Sequence, residues 1–284
     1  MTIRLDMHAA AKKAKKVLAD SAPLVADFVN SQTNPDGGFK DKAGNSDLYY
    51  TVFGMESLIA LSVPFDRDKV AHYLKTFTDP NSLDLVHTAS LIRCYADLQP
   101  DSFDDCLRSS LLTRIKQFEE PNGSFRTAYD CFLALGALQD LDAEPSNTFG
   151  IIDCINSLCL PSAGCTNDIS IPAASAPATA AAIAVLHYLS ADIPHTLIDW
   201  LFDKCYTEGS FRAAPAAPIA DLLSTATILH ALGLIGFDLA PIKEKSLDYI
   251  DTLWDPSGSF HPNTADNTLD CEYTCYGLLA LGSL

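Results

Sequence analysis

Basic residues are scarce in this chain. Nineteen Lys and Arg stand against 36 Asp and Glu in 284 residues, a formal charge of −17. That sign excludes non-specific nucleic-acid binding, which runs on neutralised phosphates. The acidity serves solubility or meets a basic partner surface. No apolar run approaches the length of a membrane span. Lys12, Lys13, Lys15 and Lys16 are not followed by the apolar stretch of a secretory signal. They read as a solvated helix face. The nine cysteines are odd in number and scattered, so free thiols in a reducing cytoplasm are expected. The two tryptophans, Trp200 and Trp254, are too few for a carbohydrate-binding groove.

What the sequence does have is a repeat. Each copy reads as a Gly-Ser/Gly-Phe turn, a short polar loop, Asp-x-x-polar-Thr, then an apolar helix. The Thr anchors are Thr51, Thr88, Thr225 and Thr274, with Thr179 in a copy lacking the Asp and Ala128 in the weakest. Seven and ten residues on come Leu58/Leu61, Tyr95/Leu98, Leu135/Leu138, Leu186/Leu189, Leu232/Ile235 and Leu281/Leu284. Those offsets share one helical face. The anchors lie 37 to 51 residues apart, the period of a helical hairpin. The preceding turns are Gly37-Gly38-Phe39, Gly123-Ser124-Phe125, Gly209-Ser210-Phe211 and Gly258-Ser259-Phe260, with Ala163-Gly164-Cys165 as a decayed copy. Glycine supplies the positive-φ stop, and the aromatic after it is expected to plug the gap between two helices.

Between the anchored helices run outer ones. The first is expected over about His8 to Ser31, with its lysines outward. Asp66 or Asp68, Ser102, Ser146, Pro194 and Pro241 open the others. The loop from Ser162 to Pro177 is charge-poor and rich in Ala, Ser and Pro, a candidate lid or cavity wall, or simply solvated slack. The reading is twelve helices in six hairpins within one domain, residues 1–284. The anchored helices are nearly uncharged and apolar all round, so both their sides are buried. That favours an all-α closed ring, anchored helices inside and the rest outside.

These features resemble the superfamily of protein prenyltransferase β-subunits and squalene/hopene cyclases. The Gly-Ser/Gly-Phe turns, the preceding Gln32 and Gln117, and the Asp-x-x-polar-Thr helix starts carry the resemblance over nearly the whole chain. It implies an α6/α6 toroid with a greasy central cavity for an isoprenoid, and diphosphate held by basic residues at the rim. The zinc site of that family needs Asp-x-Cys on one inner helix and His before Thr on the next. Here Asp270-Cys271-Glu272 carries Glu at the thiolate position. Asp47 and His87 match in neighbouring repeats without a thiol. The cyclase branch's Asp-x-Asp-Asp run is missing, which disfavours acid-initiated cyclisation.

Two readings compete for Asp47, Asp84, Asp221 and Asp270. Each suits an N-cap; four acids at one end of a ring would also converge on the cavity mouth. There Asp47, Asp84, His87, Asp270 and Glu272 are the expected holders of a divalent metal, Mg or Zn, bridging a diphosphate, with Asp47, His87, Asp270 and Glu272 as catalytic groups. Arg126 and Arg212 follow Gly-Ser-Phe turns and are the candidate diphosphate ligands. Tyr49, Tyr50, Tyr273 and Tyr276 either fill the core or steady a carbocation from the cavity wall. The functional expectation is an isoprenoid-handling enzyme of prenyltransferase or terpene-cyclase type. The alternative is a non-catalytic toroid that binds an apolar ligand, pairs with a helical protein partner, or forms a homodimer.

Overall fold

In the computed structural model, residues 2–98, 104–161 and 163–284 are described. The expected cap Ser102 and the loop's first residue Ser162 lie outside them. The anchored helices are α3 (Leu48–Leu61), α5 (Leu85–Leu98), α7 (Ala128–Asp140), α9 (Ala176–Tyr188), α11 (Leu222–Leu234) and α13 (Cys271–Ser283). Each packs on the next, and α13 returns to α3, so they close a ring. Outside it lie α2 (Ala22–Ser31), α4 (Arg67–Leu74), α6 (Asp105–Lys116), α8 (Thr148–Leu158), α10 (His195–Trp200) and α12 (Lys243–Thr252). The all-α toroid read from the repeat is therefore the fold.

The anchor threonine has a structural explanation. Its hydroxyl donates back to the carbonyl four residues earlier: Thr51 to Asp47 at 2.6 Å, Thr225 to Asp221 at 2.8 Å, Thr274 to Asp270 at 2.7 Å. The same oxygen accepts from the turn, Phe39 N–H at 3.0 Å for Thr51 and Phe211 N–H at 3.0 Å for Thr225. One hydroxyl thus ties turn to helix and satisfies an amide cut off from water. The turn aromatics Phe39, Phe125, Phe211 and Phe260 are fully buried, as plugs between helices should be. Gly258, at φ 99°, lies so close to α2 that a Cβ would run into the Leu24 carbonyl. This last turn therefore docks on the first outer helix and closes the outer layer.

One helix stands outside the hairpin scheme. The stretch expected as a single outer helix breaks at Ala19 (φ 46°), and Pro23 opens α2. What precedes the break, α1 (Ile3–Leu18), packs on α3, α7, α11 and α13. It sits inside the ring. Small residues make this possible. Ala11 and Ala14 are buried, and Gly282 has no side chain where the Ala10 carbonyl passes. The four lysines remain exposed, as expected. The ring axis is thus filled from one end by the chain's own N-terminal segment.

A second correction concerns the cysteines. Cys159 and Cys165 form a disulfide, and the other seven are free. The pair brackets the start of the charge-poor loop. That loop is not slack: Asn167 accepts Tyr129 N–H on its side chain at 3.0 Å and Ala128 N–H on its carbonyl at 3.0 Å. It supplies the third inner helix with polar partners that its own shortened loop cannot.

Candidate functional site: the cavity on the ring axis and its rim

The inner helices present their N-termini at one opening, each tied to its neighbour. Ala128 N–H donates to Asn167, Ala176 N–H to Ala213 O at 2.8 Å, and Leu222 N–H to Pro262 O at 2.8 Å. Tyr49 of α3 donates to Glu272 Oε1 of α13 at 2.6 Å. His87 Nε2 of α5 lies 3.3 Å from Asp47 Oδ2 of α3. The expected rim residues Asp47, Asp84, His87, Asp270 and Glu272 are therefore gathered on the contiguous arc α13–α3–α5, while Asp221 caps α11, the next helix along the ring.

All four aspartates cap. Asp47, Asp84, Asp221 and Asp270 accept from Tyr50, His87, Ser224 and Tyr273 N–H at 3.1, 2.9, 2.7 and 2.9 Å. They differ in what their second oxygen does. Asp270 is buried, and its Oδ2 has no hydrogen-bond partner among the described residues. Burial pushes its carboxyl up, against the helix-start amides and Lys42. Glu272, also buried, is raised by burial and by the Asp270 charge, with the Tyr49 hydroxyl opposing. His87 is held between carboxylates, its Nδ1 2.7 Å from Asp84 Oδ1. Burial lowers its pKa, but Asp84 and then Asp47 outweigh it and leave it raised. Asp84 is shifted down: burial opposes, and the His87 amide and ring prevail.

These five residues do not suit one metal ion. Both His87 nitrogens already face carboxylates, and Glu272, at the thiolate position, is engaged by Tyr49. Among the described residues, the trio with ligand atoms within 4.8 Å of one another is instead His8, Glu56 and Asp97. It lies where α1 meets the ring. Arg93 bonds Glu56, and Arg4 bonds Asp97 at 2.9 Å and Asp140 at 2.8 Å, so guanidinium groups already balance it. Nor do the two arginines reach the cavity. Arg126 is exposed and faces Asp168 at 3.6 Å. Arg212 donates to the Lys204 carbonyl at 3.3 Å and borders an outer groove with Tyr249.

The cavity itself, about 400 Å³, lies on the axis between the rim and α1. Its wall has a register that the repeat contains but the buried-leucine stripe conceals. On α9 and α11 the positions −2, +2 and +5 from the anchor face the axis, Pro177, Ala181 and Ala184 on one and Leu223, Thr227 and His230 on the other, and Tyr49 at −2 on α3 and Tyr276 and Leu279 at +2 and +5 on α13 join them. Those spacings trace one helical face. Tyr129 and Phe132 of α7 complete the aromatic side, and Met7 of α1 is the floor. Burial lowers His230 to about 4, so it is neutral near pH 7. Tyr49 and Tyr276 fulfil the cavity-wall reading; Tyr50 and Tyr273 are not among the lining residues. Below Met7 lies a smaller chamber of about 80 Å³. Met7, Tyr49, Tyr129, Phe132 and Tyr276 border both.

The domain profile described as prenyltransferase alpha-alpha toroid domain matches residues 13–132 and 179–284. No curated protein matches the chain. Among solved structures, it is similar to Candida albicans protein geranylgeranyltransferase-I complexed with GGPP. Identity is 16%, TM-score 0.62, and the match covers 99% of this chain and 82% of that one. It is likewise similar to the type II terpene cyclase MstE from Scytonema. The apo enzyme matches at 12% identity and TM-score 0.62, over 95% of this chain and 97% of that one. A variant in complex with geranylgeranyl dihydroxybenzoate gives the same identity, TM-score and coverage. At such identities the structural likeness carries the fold, and the profile match carries the kinship: this chain belongs to the prenyltransferase alpha-alpha toroid family.

Proposed function

We propose that the chain binds an isoprenoid in the axial cavity and stabilises positive charge on it, as an enzyme of prenyltransferase or terpene-cyclase type. The observation that carries this is the apolar, tyrosine-lined cavity with a carboxyl group behind its wall. Aromatic faces attract cations. A Tyr49 hydroxyl that donates to Glu272 makes its ring more electron-rich, and the site is shielded from water, where such preorganised charge acts most strongly. Tyr49, Tyr129 and Tyr276 would touch the chain; Glu272 would act through Tyr49. Among the described residues the rim has no free cluster of cations, so a neutral-headed prenyl compound suits it better than a bare diphosphate.

Size limits the chain. A dry apolar cavity of about 150 Å³ holds one benzene, and by that ratio this cavity of about 400 Å³ holds roughly sixteen carbons. Three isoprene units fit above Met7; a fourth needs the lower chamber.

The test compares a prenyl dimethylammonium compound with the neutral prenyl compound of the same shape. The charged one should bind about 5- to 30-fold more tightly, as a cation–π contribution of ~1–2 kcal/mol requires. Glu272→Gln should shrink that ratio and leave neutral binding unchanged. Equal affinity for both, with ratio unaltered in the variant, would refute charge stabilisation. A non-catalytic toroid is the second reading, favoured by Glu at the thiolate position. It expects tight retention of the neutral compound with no turnover of neutral or diphosphate substrates.

A further inference from the structure

Two thiols on the α7–α8 side meet without a role in the cavity. Cys131, on α7 between the cavity residues Tyr129 and Phe132, is fully buried. Cys154 projects from the outer helix α8 and is partly exposed. Their sulfurs lie 4.0 Å apart. Both face one acceptor, the Phe125 carbonyl of the Gly-Ser-Phe turn, at 3.8 Å from Cys131 and 3.1 Å from Cys154. A disulfide needs the sulfurs only about 2 Å closer. One face of the pair opens to solvent and the other is enclosed, which distinguishes an attacking sulfur from a resolving one.

We propose that Cys154 and Cys131 form a peroxide-sensitive dithiol that oxidises to a disulfide stapling α7 to α8. The Cys154 thiolate attacks hydrogen peroxide; the O–O bond breaks, Cys154 becomes a sulfenic acid, and hydroxide leaves and takes up a proton to form water. The Cys131 thiol then attacks the sulfenic sulfur; the S–O bond breaks, the S–S bond forms, and a second water leaves. Two thiols have lost two electrons and peroxide has gained them. The electrostatics agree with this polarity. The hydrogen bond from the Cys131 thiol, with Ser124 assisting against burial, lowers Cys154 to about 7. The same contact, together with burial, pushes Cys131 up. A partly exposed thiolate poised next to a resolving thiol is the arrangement of a redox-sensitive pair. Oxidation pins the cavity wall carrying Tyr129 and Phe132 to its outer helix. It also takes the Cys154 S–H away from the Phe125 carbonyl. This inference stands apart from the isoprenoid reading, since it uses no cavity ligand.

The full chain is treated with limiting hydrogen peroxide and cleaved before aspartates without reductant. That cleavage separates Cys131 on Asp130–Gln139 from Cys154 on Asp153–Asn167. A linked pair of these peptides, released by dithiothreitol, is expected by mass spectrometry. In Cys131→Ser the link is lost and dimedone traps a sulfenic acid on Cys154. In Cys154→Ser the link is lost and Cys131 stays a thiol. Alkylation of Cys154 should follow a pH profile that inflects near 7 and not near an ordinary thiol's ~8.5. The proposal is overturned if Cys154 stays reduced at doses that oxidise the exposed Cys106. It is equally overturned if Cys154 proceeds to sulfinic acid with Cys131 present and unlinked.

Discussion

Two glycines on opposite sides of the ring make opposite predictions for one substitution. Gly136, in the middle of α7, has its nearest foreign atom, Ile3 Cδ1 of α1, 3.7 Å from an added Cβ. That is ordinary contact. Gly136→Ala should therefore gain the usual ~0.5–1 kcal/mol for replacing a mid-helix glycine. At Gly282 of α13 the added Cβ runs into the backbone carbonyl of Ala10. Backbone cannot rotate away, so α1 must shift or the ring must open. Overpacking costs about 1–3 kcal/mol. Less any helix gain, Gly282→Ala should lose about 1–2 kcal/mol. At roughly 2–4 °C for each kcal/mol, calorimetry should show Tm raised by about 1–4 °C for Gly136→Ala and lowered by about 2–8 °C for Gly282→Ala. The reasoning fails if the two variants shift in the same direction, because α1 would then not occupy the axis against α13.

Other consequences can be measured alongside. Met7→Ala should join the two chambers and move the preferred chain from three isoprene units to four; an unchanged preference would place the limit elsewhere. Thr225→Val leaves the buried Phe211 amide without its acceptor and should cost about 1–3 kcal/mol in urea unfolding; neutrality would deny the threonine its stitching role. The seat of α1 should weaken as pH rises. Burial lowers the pKa of His8, but Glu56 and Asp97, at 3.6 and 3.4 Å, outweigh it and leave it raised. A raised histidine contributes stability below its unfolded pKa near 6.5 and loses it as pH passes the higher folded value. Asp97, raised to about 6 by burial and Glu56, acts in the same direction. Glu56 is opposed by burial but lowered to about 2 by Arg93 and His8, so its contribution is lost only in acid. Arg4, Arg93 and Asp140 complete the charges facing this cluster. Hydrogen exchange of α1 amides should accelerate above neutrality beyond the intrinsic base-catalysed rate, and His8→Gln should abolish that excess.

Much of the fold was legible because the repeat is written in residues with local duties. Threonine, aspartate, glycine and phenylalanine each close a hydrogen bond or a gap within one hairpin, so spacing alone reveals the hairpins. The cavity wall was less legible. Its residues at −2, +2 and +5 vary from Tyr to Ala because they face space and not a partner, and only register identifies them. Tyr129 was hidden further by the weak anchor at Ala128. The position of α1 was not legible at all. Its lysine face resembles any outer helix, and its opposite face matches a groove assembled from four distant segments, with Gly282 and Asp97 as the complementing residues. The Asp-His-Asp chain at Asp84, His87 and Asp47 followed from neighbouring repeats, whereas the Tyr49–Glu272 contact joins the two ends of the sequence across ring closure.

Filling the cavity tests the central claim most directly. Ala181 lines the void, so Ala181→Phe adds a ring to empty space without crowding the packed core. Titration calorimetry with farnesol should show binding by the parent chain. Ala181→Phe should weaken it at least about ten-fold, or 1.4 kcal/mol, with Tm unchanged or raised. Farnesol bound equally by both proteins would contradict the placement of the isoprenoid on the ring axis.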